Sequence, residues 1–313
     1  MVTPPLETPP DISVTIAGVH FRNPVIAASG TFGYGREYAR FTDCASLGGI
    51  CTKGLTLTPR AGNTGERLWE TPSGLLNSIG LENPGIPAFI EHELPALRAL
   101  GPAILANLSG SSLKDYAEGA RLLSDSPVDM IELNISCPNV QQGGMAFGLD
   151  PDTAAAVVRT VRKSCAKPLC VKLSPNAPHL IKVALSCVHA GADALSLVNT
   201  FKAMAIDTRT RKPVFDNITA GLSGPAIRPI ALRMVWELTG ELRRSSLPTP
   251  VIGMGGICCA NDALEFLMAG ASAIEVGSAT FAHPAAMTHI IEGISQYLKT
   301  AHFSSLASLR IPH

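Results

Sequence analysis

The stretch PLCVKLSPNAPHLIKVALSCVHAGADALSLVNT, residues 168–200, carries the pattern that decides the fold. Residues 168–173 are a short, almost unbroken apolar run, which marks a strand buried on both faces. Helical spacing follows over 179–190, and a second apolar run, 194–198, ends on Asn199-Thr200. A strand, a helix and a second doubly buried strand make one βα step. Strands joined this way pair in parallel, beneath the helix that connects them.

The step recurs along the chain. Runs of the same kind stand at 25–28, 49–52, 103–108, 130–135, 251–254 and 273–276, which makes eight with the two above. Helical spacing also covers 153–164 and 261–269. Eight βα steps predict a closed (β/α)8 TIM barrel, an α/β fold. Residues 12–21 alternate in polarity and turn at Gly18, which predicts an N-terminal β-hairpin capping the bottom of the barrel. Two longer excursions, 53–97 and 200–224, leave from strand C-termini, the face where barrels build their sites. The expected organisation is a flexible leader over 1–10 and one barrel domain over 11–313. A doubly wound sheet is the alternative. It draws on Gly253-Met254-Gly255-Gly256-Ile257-Cys258 with Glu275 beyond, which imitates a dinucleotide fingerprint but puts Cys258 where the third glycine belongs.

The chain has 313 residues, 46% of them hydrophobic, enough to bury a barrel-sized core. Net charge is zero, so neither a basic face for nucleic acid nor a polybasic membrane patch is implied. The expected partner is a small molecule or another protein. The first ten residues have neither a basic start nor an apolar run, so they do not read as a signal peptide. No window approaches the roughly 18 apolar residues of a spanning helix, which predicts a cytoplasmic protein without membrane contact. The eight cysteines lack C-x-x-C pairs or a His ligand pattern, so no metal site is expected. Cys44, Cys51, Cys165, Cys170 and Cys187 read as small buried hydrophobes.

Strand ends are where a barrel keeps its reagents. Lys53 follows the second run, Asn107 lies in the third, Asn134 and Cys137 close the fourth, and Lys172 lies in the fifth. Gly255-Gly256 and Gly277-Ser278 end the seventh and eighth. Singly such glycines are turn residues, but on adjacent strands they suit a phosphate held by backbone N–H groups. That phosphate belongs to a substrate or to a cofactor such as FMN. The lysines favour the flavin, because reduction builds negative charge near N1 and O2 and a fixed ammonium stabilises it. Lys172, between Val171 and Leu173, is costly unless it meets such an anion, the alternative being an ion pair at the barrel mouth.

The polar candidates around it, Asn77, Asn134, Asn139 and Asn199, are neutral amides that donate and accept, as a ring with alternating N–H and C=O groups requires. Asn77 alone reads equally well as a turn residue. With Lys53 holding a carboxylate, the set outlines a pyrimidine acid. Cys137 differs from the other cysteines by its place at a strand tip between two Asn, with Pro138 ending the strand. No His shares its motif, so a Cys-His hydrolase is poorly supported, and a thiolate base fits better. The glycines of 141–148 suit a lid. Cys258-Cys259 at a helix start suits redox sensitivity or plain small-residue packing.

The residues together resemble the dihydroorotate dehydrogenases, most closely the class 1B catalytic subunit, over nearly the whole chain. The resemblance rests on Ser29-Gly30-Thr31-Phe32-Gly33, Thr52-Lys53-Gly54, Asn77-Ser78-Ile79-Gly80-Leu81, Asn134-Ile135-Ser136-Cys137-Pro138-Asn139-Val140, Gly221-Leu222-Ser223-Gly224-Pro225 and Gly253-Met254-Gly255-Gly256. It implies an FMN barrel that oxidises dihydroorotate to orotate in pyrimidine biosynthesis. Cys137 would take the C5 proton while hydride leaves C6 for flavin N5. Lys53, Asn77, Ser78, Ile79, Gly80, Leu81, Asn134, Asn139, Asn199 and Thr200 would hold substrate. Ser29, Lys53, Gly54, Asn107, Asn134, Lys172, Val198, Gly224, Gly255, Gly256, Gly277 and Ser278 would hold FMN.

Class 1B implies a homodimer core joined in a heterotetramer to a second subunit that carries FAD and a [2Fe-2S] cluster and reaches NAD. The cysteines of this chain lack the spacing to hold that cluster. A class 1A enzyme, which passes electrons to fumarate, and a barrel similar to the dihydropyrimidine dehydrogenase flavin domain are the alternatives. The membrane-associated class 2 enzymes use Ser as base, where this chain has Cys137.

Overall fold

The computed structural model describes residues 9–136 and 147–312. Eight parallel strands close into a barrel: β1 (Val25–Ala27), β2 (Gly49–Cys51), β3 (Ala103–Leu108), β4 (Met130–Asn134), β5 (Leu169–Lys172), β6 (Ala194–Leu197), β7 (Val251–Met254) and β8 (Ala273–Val276). Each pairs in parallel with the next, and β8 returns to β1 through Glu275 opposite Ile26. Closure excludes the doubly wound alternative. The apolar runs read from sequence differ from these strands by no more than one residue at an end. Of the leader drawn over 1–10, residues 1–8 lie outside the described part.

Helices Leu113–Ser124, Pro151–Ser164, Leu180–His189, Arg228–Arg244, Ala260–Met268 and Ala286–Thr300 cover the outside. Pro151–Ser164 shows why they start where they do. The Asp150 side chain accepts a hydrogen bond from the Thr153 N–H at 3.0 Å, and Pro151 occupies a first-turn position where its missing N–H costs nothing. Its buried stripe is Ala154, Ala155, Val157, Val158 and Val161. None of the described helices is long and apolar enough to cross a membrane.

Because side chains alternate along a strand, every second residue points into the barrel, and the interior is built in layers. The lowest layer is apolar: Ile26, Cys51, Leu105, Met130, Cys170, Ala194, Ile252 and Ala273, one from each strand. The hairpin of Val14–Ile16 and Val19–Phe21 plugs it from below with Ile16 and Phe21, both fully buried. Its turn is Ala17-Gly18, with positive φ at both residues (49° and 83°), the geometry a two-residue hairpin needs. Two residues higher stand Asn107, Glu132, Lys172, Ser196 and Glu275, all buried. The barrel thus changes from apolar to ionic within one step.

The two excursions meet each other. Strands Leu68–Thr71 and Gly74–Asn77 from the first pair with Ala220–Ser223 and Phe201–Ala203 from the second in one antiparallel sheet. Gly221 lies opposite Asn77 in this sheet. It stands at the C-terminal end of the barrel and supplies one side of the cavity there.

Candidate active site

A cavity of about 310 Å³, within the size range of small-molecule sites, opens at the C-terminal ends of the strands. Ser29 reaches it from the loop after β1, Lys53 and Gly54 from the end of β2, and Asn134 and Lys172 from β4 and β5. Asn77, Ile79, Gly80 and Leu81 come from the first excursion. Val198, Asn199 and Thr200 follow β6, Gly224 closes the second excursion, and Gly255-Gly256 and Gly277-Ser278 follow β7 and β8. Most of the sequence-derived set therefore converges on one space.

Two members stand behind the wall. The Ser78 hydroxyl accepts from the Asn63 amide at 3.0 Å, and Asn107 lies one layer down, where its amide donates to Glu132 at 2.6 Å. Cys137, Asn139 and the lid expected over 141–148, except for its last two residues, lie outside the described part.

One side of the cavity is almost bare backbone. Gly224, Gly255 and Gly256 hold φ of +96°, +125° and +75°, which disfavour any L side chain. A Cβ on Gly256 would come within 2.7 Å of the Gly224 carbonyl oxygen, and one on Gly224 within 2.7 Å of Gly74 Cα. Exposed peptide groups at strand ends, held by such glycines, suit a phosphate.

Of the amides, Asn134 ends β4, Asn199 follows β6, and Asn77 ends a strand of the excursion sheet. Asn134 accepts from the Ser136 hydroxyl at 2.7 Å, and Asn199 in turn donates to that hydroxyl. The Asn134 amide donates to Asn107 at 3.4 Å, and the Asn77 amide to the Gly221 carbonyl at 3.2 Å. These bonds fix the side chains while leaving donors and acceptors for a ligand. At the mouth, Lys53 stands 3.9 Å from Glu82, which also pairs with Arg67 at 2.7 Å. Arg67 first and then Lys53 hold the Glu82 carboxyl below its usual range.

Beneath the floor lies a buried ionic set. Lys172 Nζ is 3.2 Å from Glu132 Oε2 and 3.3 Å from Glu275 Oε2. Glu132 also accepts from Ser196 at 2.7 Å, from Asn107, and from the Cys51 thiol at 3.1 Å. Burial opposes its charge, but Lys172 first, then hydrogen bonds with Glu275, Ser196 and Cys51, outweigh that and hold it well below the ordinary carboxylate range. Glu275 behaves oppositely: burial first, then the Glu132 charge, push it well up. The expectation that Lys172 must meet an anion is thus satisfied inside the protein, and Lys172 still borders the cavity.

Sequence reasoning missed the roles of Glu132, Glu275, Asn176 and Lys202. Period-two counting carries the signal for the glutamates, since Met130, Glu132 and Asn134 share one face, as do Ala273, Glu275 and Gly277. Asn176 and Lys202 also border the cavity. The Asn176 amide donates to the Thr200 carbonyl at 3.2 Å, and its oxygen accepts from the Lys202 N–H at 3.0 Å, which ties the end of β5 to the second excursion. No local pattern announces that bridge.

The five cysteines read as core are buried. Burial raises the Cys44 thiol to about 11 and Cys187 to about 12, and holds Cys51 and Cys170 well above the ordinary thiol value, so none of these four is a ready nucleophile. Cys258 is half-buried and Cys259 exposed, and their backbone N–H groups both donate to Asp262.

Known proteins are similar to this chain in sequence. The family model described as dihydroorotate dehydrogenase matches residues 11–298. A protein of Petrotoga mobilis named dihydroorotate dehydrogenase B (NAD(+)), catalytic subunit, is 55% identical over 300 residues, covering 96% of this chain and 98% of its own. Proteins of the same name from Geotalea uraniireducens and Caldicellulosiruptor saccharolyticus are 53% and 49% identical, over 93% and 96% of this chain and 94% and 98% of theirs.

Proposed function

The chain belongs to the dihydroorotate dehydrogenase family, and on that premise we propose that it oxidises (S)-dihydroorotate to orotate in pyrimidine biosynthesis as an FMN-dependent catalytic subunit. The observation that supports this best is the single cavity wall that unites the bare glycine backbone, Lys53, Lys172 and the amides of Asn77, Asn134 and Asn199. The residues present fit FMN. Gly224, Gly255, Gly256, Gly277 and Ser278 would take its phosphate, and Ser29, Gly54, Asn134, Lys172 and Val198 its ring system, with Asn107 supporting Asn134 from the layer below. FMN would supply the acceptor for the hydride that leaves C6 of the substrate.

The remaining work falls to the chain's own side chains. Lys53 holds the substrate carboxylate, while Asn77, Asn134, Asn139, Asn199 and Thr200, with the 78–81 segment, orient the ring's amide groups. Cys137 removes the C5 proton as a thiolate. Lys172 faces the site from β5 as a fixed cation. The sheet built by the two excursions walls the cavity on one side.

The chain passes its electrons to NAD through a partner subunit with FAD and a [2Fe-2S] cluster, around a homodimer core, in the cytoplasm. A leader over 1–10 and one barrel domain over 11–313 complete the reading. The test is to load the purified chain with FMN, add dihydroorotate, and offer NAD, fumarate or quinone with and without the partner subunit. Bleaching of the flavin by dihydroorotate, with NAD reduced only when the partner is present, is the expected result. Bleaching by dihydropyrimidines alone would replace this reading with the dihydropyrimidine dehydrogenase-like one, and fumarate turnover by the chain alone with the class 1A one.

A further inference from the structure

The buried set under the cavity has an imbalance that its geometry resolves. Two carboxyl groups share one ammonium: Lys172 Nζ lies 3.2 Å from Glu132 and 3.3 Å from Glu275, and all three side chains are at most 6% exposed. Among the described residues the other titratable groups within reach are the thiols of Cys51 and Cys170, which burial keeps neutral. With both carboxylates charged, the set would carry one net negative charge in an apolar barrel, which is costly.

The hydrogen-bond census separates the two acids. Glu132 accepts from four donors, Lys172, Ser196, Asn107 and Cys51, spread over both oxygens. Among the described residues Glu275 accepts from Lys172 alone, its Oε1 is buried without a partner, and its other hydrogen-bond contact is the carboxylate of Glu132, which can only accept and so needs the proton to sit on Glu275. A carboxylate needs its lone pairs satisfied, whereas a neutral acid tolerates an unmatched carbonyl oxygen far better. Each of Glu132 and Glu275 also offers an oxygen, and Cys51 its sulfur, within 4.8 Å of one another, so the carboxyls stand close enough to oppose double ionisation.

We propose that Glu275 is held as a neutral carboxylic acid and acts as a positioning residue for Lys172, leaving that lysine one carboxylate counter-ion instead of two. The set is then neutral overall: one ammonium, one carboxylate, one acid. Its consequence is electrostatic. Glu275 and Lys172 both border the cavity, so a second buried carboxylate there would oppose electrons arriving on a ring above it, while the neutral acid leaves the Lys172 field directed at the ligand.

The proton on Glu275 stands on the protein's geometry alone. Only the effect on the ring rests on the FMN reading, and two measurements keep them apart. Infrared spectroscopy of the flavin-free chain at neutral pH, with carboxyl-labelled glutamate, should show a buried carboxylic-acid C=O stretch that disappears in Glu275→Gln. A wild-type spectrum without that band, or a band that survives in Glu275→Gln, overturns the proposal whatever the chain binds. The second measurement is the flavin midpoint potential of the FMN-loaded protein. Glu275→Gln, which swaps one neutral group for another, should leave it near the wild-type value, while Glu132→Gln, which removes the one charged partner, should raise it. An upward shift in Glu275→Gln matching that of Glu132→Gln would show Glu275 ionised and sink the idea. If Glu132→Gln does not fold, the infrared result and the potential of Glu275→Gln still decide it. A chain that shows the band but takes up no FMN would refute the flavin reading and leave the proton assignment standing.

Discussion

Glu132 is fully buried, and its four donors make it the residue on which the barrel's ionic layer depends. Removing one partner of such a pair leaves the others uncompensated, so Glu132→Gln should cost about 3–5 kcal/mol, read from urea unfolding. The pH dependence has a definite sign. The folded Glu132 carboxyl titrates below its ordinary value of 4.5, so the unfolded chain binds more protons in that window. Its contribution is complete above that value and is lost as pH falls through the folded one. Glu275, shifted upward, works the other way: its contribution is present below 4.5 and is lost as pH rises through its folded value. Acid unfolding should therefore soften in Glu132→Gln and persist in Glu275→Gln. Catalysis gives a separate expectation. Cys137→Ala should retain FMN yet lose most of the flavin-reduction rate at neutral pH, and Cys137→Ser should move the pH profile upward. Wild-type stopped-flow traces in both variants would remove Cys137 from the chemistry.

At the scale of elements, the loops after β6, β7 and β8 matter more than the strands. Gly256 combines a positive φ with a Cβ position 2.7 Å from the Gly224 carbonyl oxygen, so Gly256→Ala must displace backbone. It should weaken FMN retention at least tenfold, measured by fluorescence titration, and lower stability by about 1–3 kcal/mol. Unchanged affinity would separate this loop from the phosphate. By contrast, Asp150→Ala removes a helix cap at a residue that does not line the cavity and should cost about 1 kcal/mol with FMN binding intact. Strand runs and these loop glycines were legible because both are local: doubly buried strands write continuous apolar stretches, and glycine marks places where backbone must be bare. The bridge from Asn176 to Thr200 and Lys202 was not, because it joins side chain to backbone across 24 and 26 residues.

Across the whole molecule, the barrel is sealed at one end and open at the other. The hairpin residue Phe21 is fully buried against the apolar layer to which all eight strands contribute. Phe21→Ala should cost about 3–5 kcal/mol and lower Tm, with the flavin spectrum of the folded fraction unchanged, because the plug and the cavity lie in different layers. A changed spectrum would show the layers to be coupled. Hydrophobic periodicity alone determined the number of strands, their parallel direction and the face that carries the site, since burial on both sides leaves no polar alternation, whereas their closure into a barrel rather than a doubly wound sheet was decided by the tertiary structure. Only the tertiary structure decided that the two excursions pair into one sheet, and that Lys172 meets Glu132 on the neighbouring strand and Glu275 on the non-adjacent β8. Those contacts join residues 40 and 103 positions apart, and their energy depends on distance and desolvation, which no stretch of sequence contains.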